Sequence, residues 1–317
     1  IFFLLIGHYI ITLPDSTADA VTFENVAWQI GQDGFLNVLN NYNGPSSRFI
    51  SWVVAIPYSL FGRSILMAKS ISLLFGIGSI FLGWKLAKLI WNDNIAKKVG
   101  WAIAVFPSLI LYSVLVMREV YVCFFILVAL YGVVSWVKTD NFKSIILAIA
   151  GFMGATFFHG ALFVGIFVFM IIVTVSNLKK LIKKIVIYRI SLKNLIFLAF
   201  ILASSGYYLS NKFQVPYLGT FERATNIDYL IRKTNVSTRG TAAWPEWLIP
   251  KSQTEIIYKA PLRSMYVIFS PFPWDVKETK HLIGMLDAFV FMYLSFLILS
   301  NIKTIWRDPS LKIILIL

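Results

Sequence analysis

Phe49-Ile-Ser-Trp-Val-Val-Ala-Ile-Pro-Tyr-Ser-Leu-Phe61 is the stretch on which the reading of this chain turns. It is apolar, contains Pro57, and lies between Arg48 and Arg63. Crossing the hydrocarbon of a bilayer takes about 20 apolar residues, and 49–61 falls well short of that. The segment therefore predicts an interfacial or re-entrant helix. Leaving it out of the span count sets the direction of every later crossing.

Other apolar runs lie at 64–90, 99–117, 120–137, 144–158, 161–176, 194–210 and 282–302, and runs at 1–13 and from 309 onward read as a first and a last span cut short. That predicts about nine transmembrane helices, plus interfacial ones. Composition agrees: 58% of residues are hydrophobic and 14% charged, with mean hydropathy +0.75, where a soluble domain carries about a quarter charged residues. The expected fold is all-α and polytopic. Its parts are a helical core (1–210) with an outer loop (14–63), an aromatic-rich extracytoplasmic segment (211–281), and C-terminal membrane helices (282–317). The chain opens and closes inside apolar runs without an initiator Met, which reads as a piece of a longer protein. Its one cysteine, Cys123, excludes a disulfide framework.

Charge tests the treatment of 49–61. With that segment uncounted, Lys85, Lys88, Lys97, Lys98, Lys138, Lys143, the 179–193 basic run, Lys303, Arg307 and Lys312 share one side. They are fifteen of 29 basic residues. The positive-inside rule makes that side cytoplasmic; counting 49–61 as a span would break the pattern. The net charge of +14 then sets topology and meets anionic lipid. No soluble basic domain is present to bind nucleic acid.

The polar residues consequently gather on the opposite, extracytoplasmic face. From Asp19, the apolar Val21, Phe23, Val26, Ala27 and Ile30 predict an amphipathic surface helix. Asp15 and Asp19 would serve there as helix caps or as a general base at the bilayer boundary. Arg118-Glu119 separates two apolar runs at a turn that has no Gly, Asn or Pro. Ionisable groups at membrane depth are functional candidates by default. Arg118 would clamp an anion, with Glu119 as its partner or, like Asp19, as a ligand of a divalent cation. His159, in Phe158-His159-Gly160, turns a short hairpin on the same face. Asp287 is the one acid inside a long apolar run, where it would pair with an outer basic residue or, with nothing further to support it, take a catalytic role.

Segment 211–281 is rich in Tyr, Trp and Phe, and carries Arg223, Arg232, Arg239 and Arg263. Rings and arginines of this kind suit either a sugar-phosphate pocket or an aromatic belt with snorkelling side chains. Ala260 to Ser270 predicts an interfacial helix with Pro261 in its first turn, stopped by Pro271-Phe-Pro-Trp274. No Walker sequence, HExxH or paired CxxC occurs, which argues against nucleotide hydrolysis in this chain.

Asp19-x-x-x-Phe23-x-x-x-Ala27, Gly44-Pro45, Arg48, Pro57-Tyr-Ser-Leu-Phe-Gly62 and Ala68-Lys-Ser-Ile-Ser72 together resemble the opening of the GT-C glycosyltransferases. The likeness is to the protein O-mannosyltransferase and aminoarabinose transferase branch, glycosyltransferase family 39 and its relatives. Pro107-Ser-Leu-Ile-Leu-Tyr-Ser113 leading to Arg118-Glu119 is similar to that family's next hairpin, so the resemblance covers about residues 10–140. Two departures stand out: Asp19-Ala20 replaces an acidic pair, and Pro45-Ser46 replaces Pro-Pro. Arg118-Glu119 followed by Phe158-His159-Gly160 is also similar to the EpsG/Wzy-type polysaccharide polymerases.

The GT-C resemblance implies a polyprenyl-phosphate-linked sugar donor and a lipid, glycan or protein acceptor. It also implies an active site on the extracytoplasmic side of a bacterial or archaeal plasma membrane. By position Asp19 would deprotonate the acceptor, while Arg48, Arg118, Glu119, His159 and Arg263 would bind the donor's sugar and phosphate. A repeat-unit polymerase is the alternative, and a transporter or flippase for a lipid-linked glycan the third. Transport is disfavoured because no internal repeat is found and the polar residues gather at one face instead.

Overall fold

The computed structural model describes residues 1–185 apart from Asp15, Thr17, Ala18, Asn43, Pro45 and Ser47, residues 245–317 apart from 277–279, and a few single positions between. Every described element is helical, as the composition implies. The chain divides into two units, Ile1–Phe163 with Phe272–Leu317, and Val164–Pro271.

Helices α1 (Phe2–Tyr9), α2 (Asp19–Gly31), α3 (Phe35–Asn40) and α4 (Phe49–Phe61) open the first unit. They are followed by α5 (Ile65–Ile90), α6 (Asp93–Ala104), α7 (Pro107–Ser113), α8 (Glu119–Thr139) and α9 (Phe142–Phe158). Caps mark several starts. Ser64 Oγ accepts from Met67 N–H at the head of α5, and Asn92 Oδ1 accepts from Ile95 N–H at the head of α6. Asp140, at φ 52°, ends α8 in the left-handed region, and Asn141 caps α9 at once. The result is a tight hairpin.

Small residues close that hairpin. A Cβ on Gly132 would lie 2.8 Å from Ala148 Cα and 2.9 Å from Ser144 O, and one on Gly151 would lie 2.6 Å from Ala129 Cα. Between helices this apolar, close backbone approach of this kind supplies the packing. Ser135 and Ser144 add a hydroxyl pair across the seam at 2.9 Å.

Contacts fix the directions. Tyr121 meets Ser72, and Lys138 Nζ reaches Ile90 O at 3.4 Å, so α5 and α8 run parallel. Phe158 stacks on Tyr121 with centroids 4.8 Å apart, so α9 returns antiparallel. One end of the unit therefore carries Lys88, Asp93, Lys97 and Lys138, where Asp93 bridges Lys88 at 3.1 Å and Lys97 at 3.0 Å. The other carries the start of α8 and the end of α9.

The span count needs correction. Among the described residues three helices are long and apolar enough to cross a membrane: Ile65–Ile90, Glu119–Thr139 and Gly160–Asn177. A fourth exists if Asp93–Ala104 and Pro107–Ser113, bent by 61°, count as one. The expected nine are not supported. Phe142–Phe158 and Gly284–Ser300 are shorter apolar helices, as is Phe49–Phe61. The run 194–210 lies outside the described residues except for a few single positions. The physical reason is that apolar composition does not report where the backbone stops. The run 99–117 breaks before Pro107, whose ring and missing N–H interrupt a helix, and turns again at 114–117.

The second unit holds most of α10 (Phe163–Ile185) and α11 (Gln253–Phe269). Here too the sequence reading is corrected: α11 begins well before Ala260, and Pro261 lies inside it. Ser252 Oγ accepts from Glu255 N–H, and Glu255 takes Lys259 Nζ at 2.8 Å. That Ser-x-x-Glu start is a capping signal that outranks a proline further along the helix. Back in the first unit, α12 (Lys280–Ser300), α13 (Ile302–Arg307) and α14 (Pro309–Ile316) end the chain.

Candidate functional site

Helix α2 lays Ala20, Phe23, Glu24, Ala27 and Gly31 against α4. Gly31 permits close approach, since a Cβ there would lie 2.9 Å from Ala55 O. Buried in this apolar stripe, Glu24 is held by three bonds. Arg63 donates through Nε at 3.0 Å and an Nη at 2.6 Å, and the Tyr58 hydroxyl donates at 2.8 Å. The same Nη reaches Asn25 Oδ1 at 2.7 Å, and the guanidinium lies 6.0 Å from the Trp28 ring. Burial first, then the Glu24 carboxylate, raises the Tyr58 hydroxyl above its ordinary range, so it remains a donor. Both oxygens of Glu24 are engaged by bidentate and hydroxyl bonds. This clamp fixes α4 against α2, and nothing in the sequence reading identified it. The available signal was a glutamate placed in a helix stripe of small residues.

The second cluster stands at the other end of α4. Phe49, its first residue, packs on Phe157 and Phe158 with centroids 5.1 and 5.0 Å away. Trp52 stacks on Phe49 at 5.6 Å, and Phe75 meets Tyr121 at 4.4 Å. A wall of rings thus runs from α4 through the end of α9 to α8 and α5. Along its edge lie Arg48, just before Phe49, and His159, just after Phe158.

Arg118 caps the head of α8 beside the same wall. Its Nε donates to Glu119 Oε1 at 3.3 Å, and its guanidinium makes no other hydrogen bond among the described residues. Glu119 Oε2 is buried without a hydrogen-bond partner among them. His159 is close enough to feel both charges. Burial holds its imidazole below the ordinary range, Arg118 pushes the same way, and Glu119 opposes. The ring is therefore neutral near pH 7.

The structure accordingly brings Arg118, Glu119 and His159 together, with Arg48 exposed at the neighbouring helix start. Asp19 stands elsewhere. Helices α2 and α4 run antiparallel, Gly31 facing Ala55 and Glu24 facing Arg63. Asp19 is thus at the Arg63 end and Arg48 at the opposite one, on the order of 20 Å apart along α4 at 1.5 Å per residue. Asp19 is exposed. Asp15, Arg232 and Arg239 fall outside the described residues, and Arg263, half-buried on α11, belongs to the second unit. No group of three His, Cys, Asp or Glu that could hold a metal occurs among the described residues. Among the described residues Glu119 has an arginine for its neighbour and Asp19 is exposed, an arrangement with too few ligands for a divalent cation.

Asp287 departs from expectation. It takes no basic partner among the described residues; Ser108 of α7 donates its hydroxyl to Asp287 Oδ2.

No protein-family model matches this chain, and neither the curated proteins nor the solved structures include a match to it.

Proposed function

We propose that the chain is an integral membrane glycosyltransferase that handles a sugar carried on a polyprenyl phosphate. The observation that supports this most is the Arg118 corner: a guanidinium that, among the described residues, is engaged through Nε alone, a neutral histidine, and a wall of aromatic rings. The unused Nη donors suit two phosphate oxygens, and ring faces suit the C–H faces of a sugar. A donor set pre-aimed at the leaving phosphate is the form of stabilisation such a transfer needs. Depth agrees as well. Tyr121 lies level with Ser72, which puts the corner about 10 Å along α5 from Ile65, within reach of a lipid-borne phosphate. The lysine-bearing end of the unit would face the cytoplasm and the Arg118 corner the exterior.

In this reading Arg118 and Arg48 bind the phosphate, and His159 hydrogen-bonds the leaving oxygen or the acceptor. Asp19, as the acceptor's base in the GT-C pattern, would have to act from the Arg63 end of α4. The convergence of Arg118-Glu119 with Phe158-His159 therefore favours a second form of the same chemistry, polymerisation of lipid-linked repeat units.

One assay separates the two. Membranes containing the protein are given a polyprenyl-phosphate-linked glycan, and the products are resolved by size. A single added sugar, lost in Asp19→Asn, supports the transferase; a ladder of repeat units, lost in Arg118→Ala and retained in Asp19→Asn, supports the polymerase. Full turnover by Arg118→Ala would remove the ground for both.

A further inference from the structure

Asp287 lies within α12, in the apolar sequence Gly284-Met-Leu-Asp-Ala-Phe-Val290. It is 5% exposed. Ser108, at the head of α7, presents its hydroxyl and backbone amide to the carboxylate. The second oxygen, Oδ1, is buried without a hydrogen-bond partner among the described residues. Ion pairs there include Arg63–Glu24, Lys88–Asp93, Lys97–Asp93, Arg118–Glu119 and Lys259–Glu255, and none involves Asp287. Helix α7 brings Tyr112 and no charged group. On α12 itself the nearest titratable residues are His281 and Tyr293, each six residues away, and α13 carries Lys303 and Arg307 far beyond them.

The level of this carboxylate matters. A side chain on Gly83 would strike Ile103, and one on Gly76 would strike Ser113. Ser108 therefore sits between the levels of Gly83 and Gly76, near the middle of α5. Here the backbone also breaks, with α6 and α7 meeting at 61°. Mid-membrane helix breaks facing a lone acid are where membrane proteins hold small ions. Burying a carboxylate there without a counter-charge carries a desolvation cost, and a bound cation removes it.

We propose that Asp287 and Ser108 form a binding site for a small monovalent cation, a proton or a sodium ion, at the α6–α7 break. Asp287 Oδ1 is the primary ligand atom. Helix α7 leads through the buried Val114, Leu115, Val116 and Met117 to Arg118, so occupancy of this site bears on the position of the corner described above. The inference is independent of the glycosyltransferase reading and goes beyond it.

The test uses the whole purified chain in detergent and dicyclohexylcarbodiimide, which modifies protonated carboxyls in apolar surroundings. Mass spectrometry of peptides should find the adduct on Asp287 in sodium-free buffer. The exposed Asp19 and Asp33 should stay unmodified, and Asp287→Asn should lose the adduct. A rate that falls several-fold as pH rises assigns the proton. A rate that falls several-fold on adding sodium, at fixed pH and ionic strength, assigns sodium. No adduct on Asp287 in any of these buffers, or one insensitive to both pH and sodium, overturns the proposal. Because the wild-type chain carries the decisive measurement, the outcome does not depend on a variant folding.

Discussion

Two charged clusters flank helix α4, and they differ in how completely they are satisfied. At the Arg63 end, Glu24 has three donors at 2.6 to 3.0 Å. At the Phe49 end, Arg118 and Glu119 share one bond at 3.3 Å, and Glu119 keeps a buried oxygen without a partner among the described residues. A saturated ion pair holds helices; an unsaturated one has capacity left for a ligand. Both contain an arginine and a glutamate, so residue type does not separate them. Coordination does.

The largest effect expected from this contrast is on turnover. Arg118→Ala should lower glycosyl transfer by about 100-fold or more, the usual loss on removing an oxyanion donor, with little change in the unfolding midpoint. Arg118→Lys should not restore it, because a point charge lacks the planar fork. Normal kinetics in either variant would erase the functional side of the contrast.

Arg63→Ala should act in the opposite way. It leaves Glu24 buried with Tyr58 as its remaining side-chain donor. A buried pair broken on one side costs about 3–5 kcal/mol, and the 39% exposure of the Arg63 side chain reduces this to about 1–3 kcal/mol. Thermal unfolding in detergent measures it. Tyr58→Phe should cost less, about 1.5 kcal/mol for one hydrogen bond to a charged acceptor. If Tyr58→Phe proved the more damaging, the salt bridge would not be the main tie.

The smallest effect is a pH dependence. His159 is held below its ordinary value of about 6.5 by burial and by Arg118. Its contribution is complete above that ordinary value, because both folded and unfolded rings are then neutral. As pH falls below it, the unfolded chain takes up the proton first and stability is lost. The drop in unfolding midpoint on acidification should therefore be smaller in His159→Gln than in the wild type. An equal drop in both would detach His159 from the corner.

The sequence carried the helical class, the short helix 49–61 and the placing of Arg118, Glu119 and His159 on one face. Each depends on local composition or on counting crossings. But the sequence grouped Asp19 with that trio, and Asp19 stands at the Arg63 end of α4. It did not carry the Glu24 clamp, because that pair joins positions 39 residues apart through the antiparallel docking of two helices. Nor did it carry the partner of Asp287, which comes from 179 residues away. The number of crossings was over-read for a related reason: Val105, Phe106 and Val114 to Met117 are as apolar as a span, yet the backbone bends there.

The Gly132–Ala148 and Gly151–Ala129 seam between α8 and α9 limits how this sequence can drift. Outward-facing positions such as Ile146, Leu147 and Met153, exposed at 52%, 37% and 43%, can exchange one large apolar residue for another freely. The seam cannot: even a methyl group at either glycine meets backbone. Over evolutionary time the alphabet at those four positions should shrink to glycine, alanine and serine while the rest of the hairpin diversifies, leaving spacing rather than identity as the inherited mark.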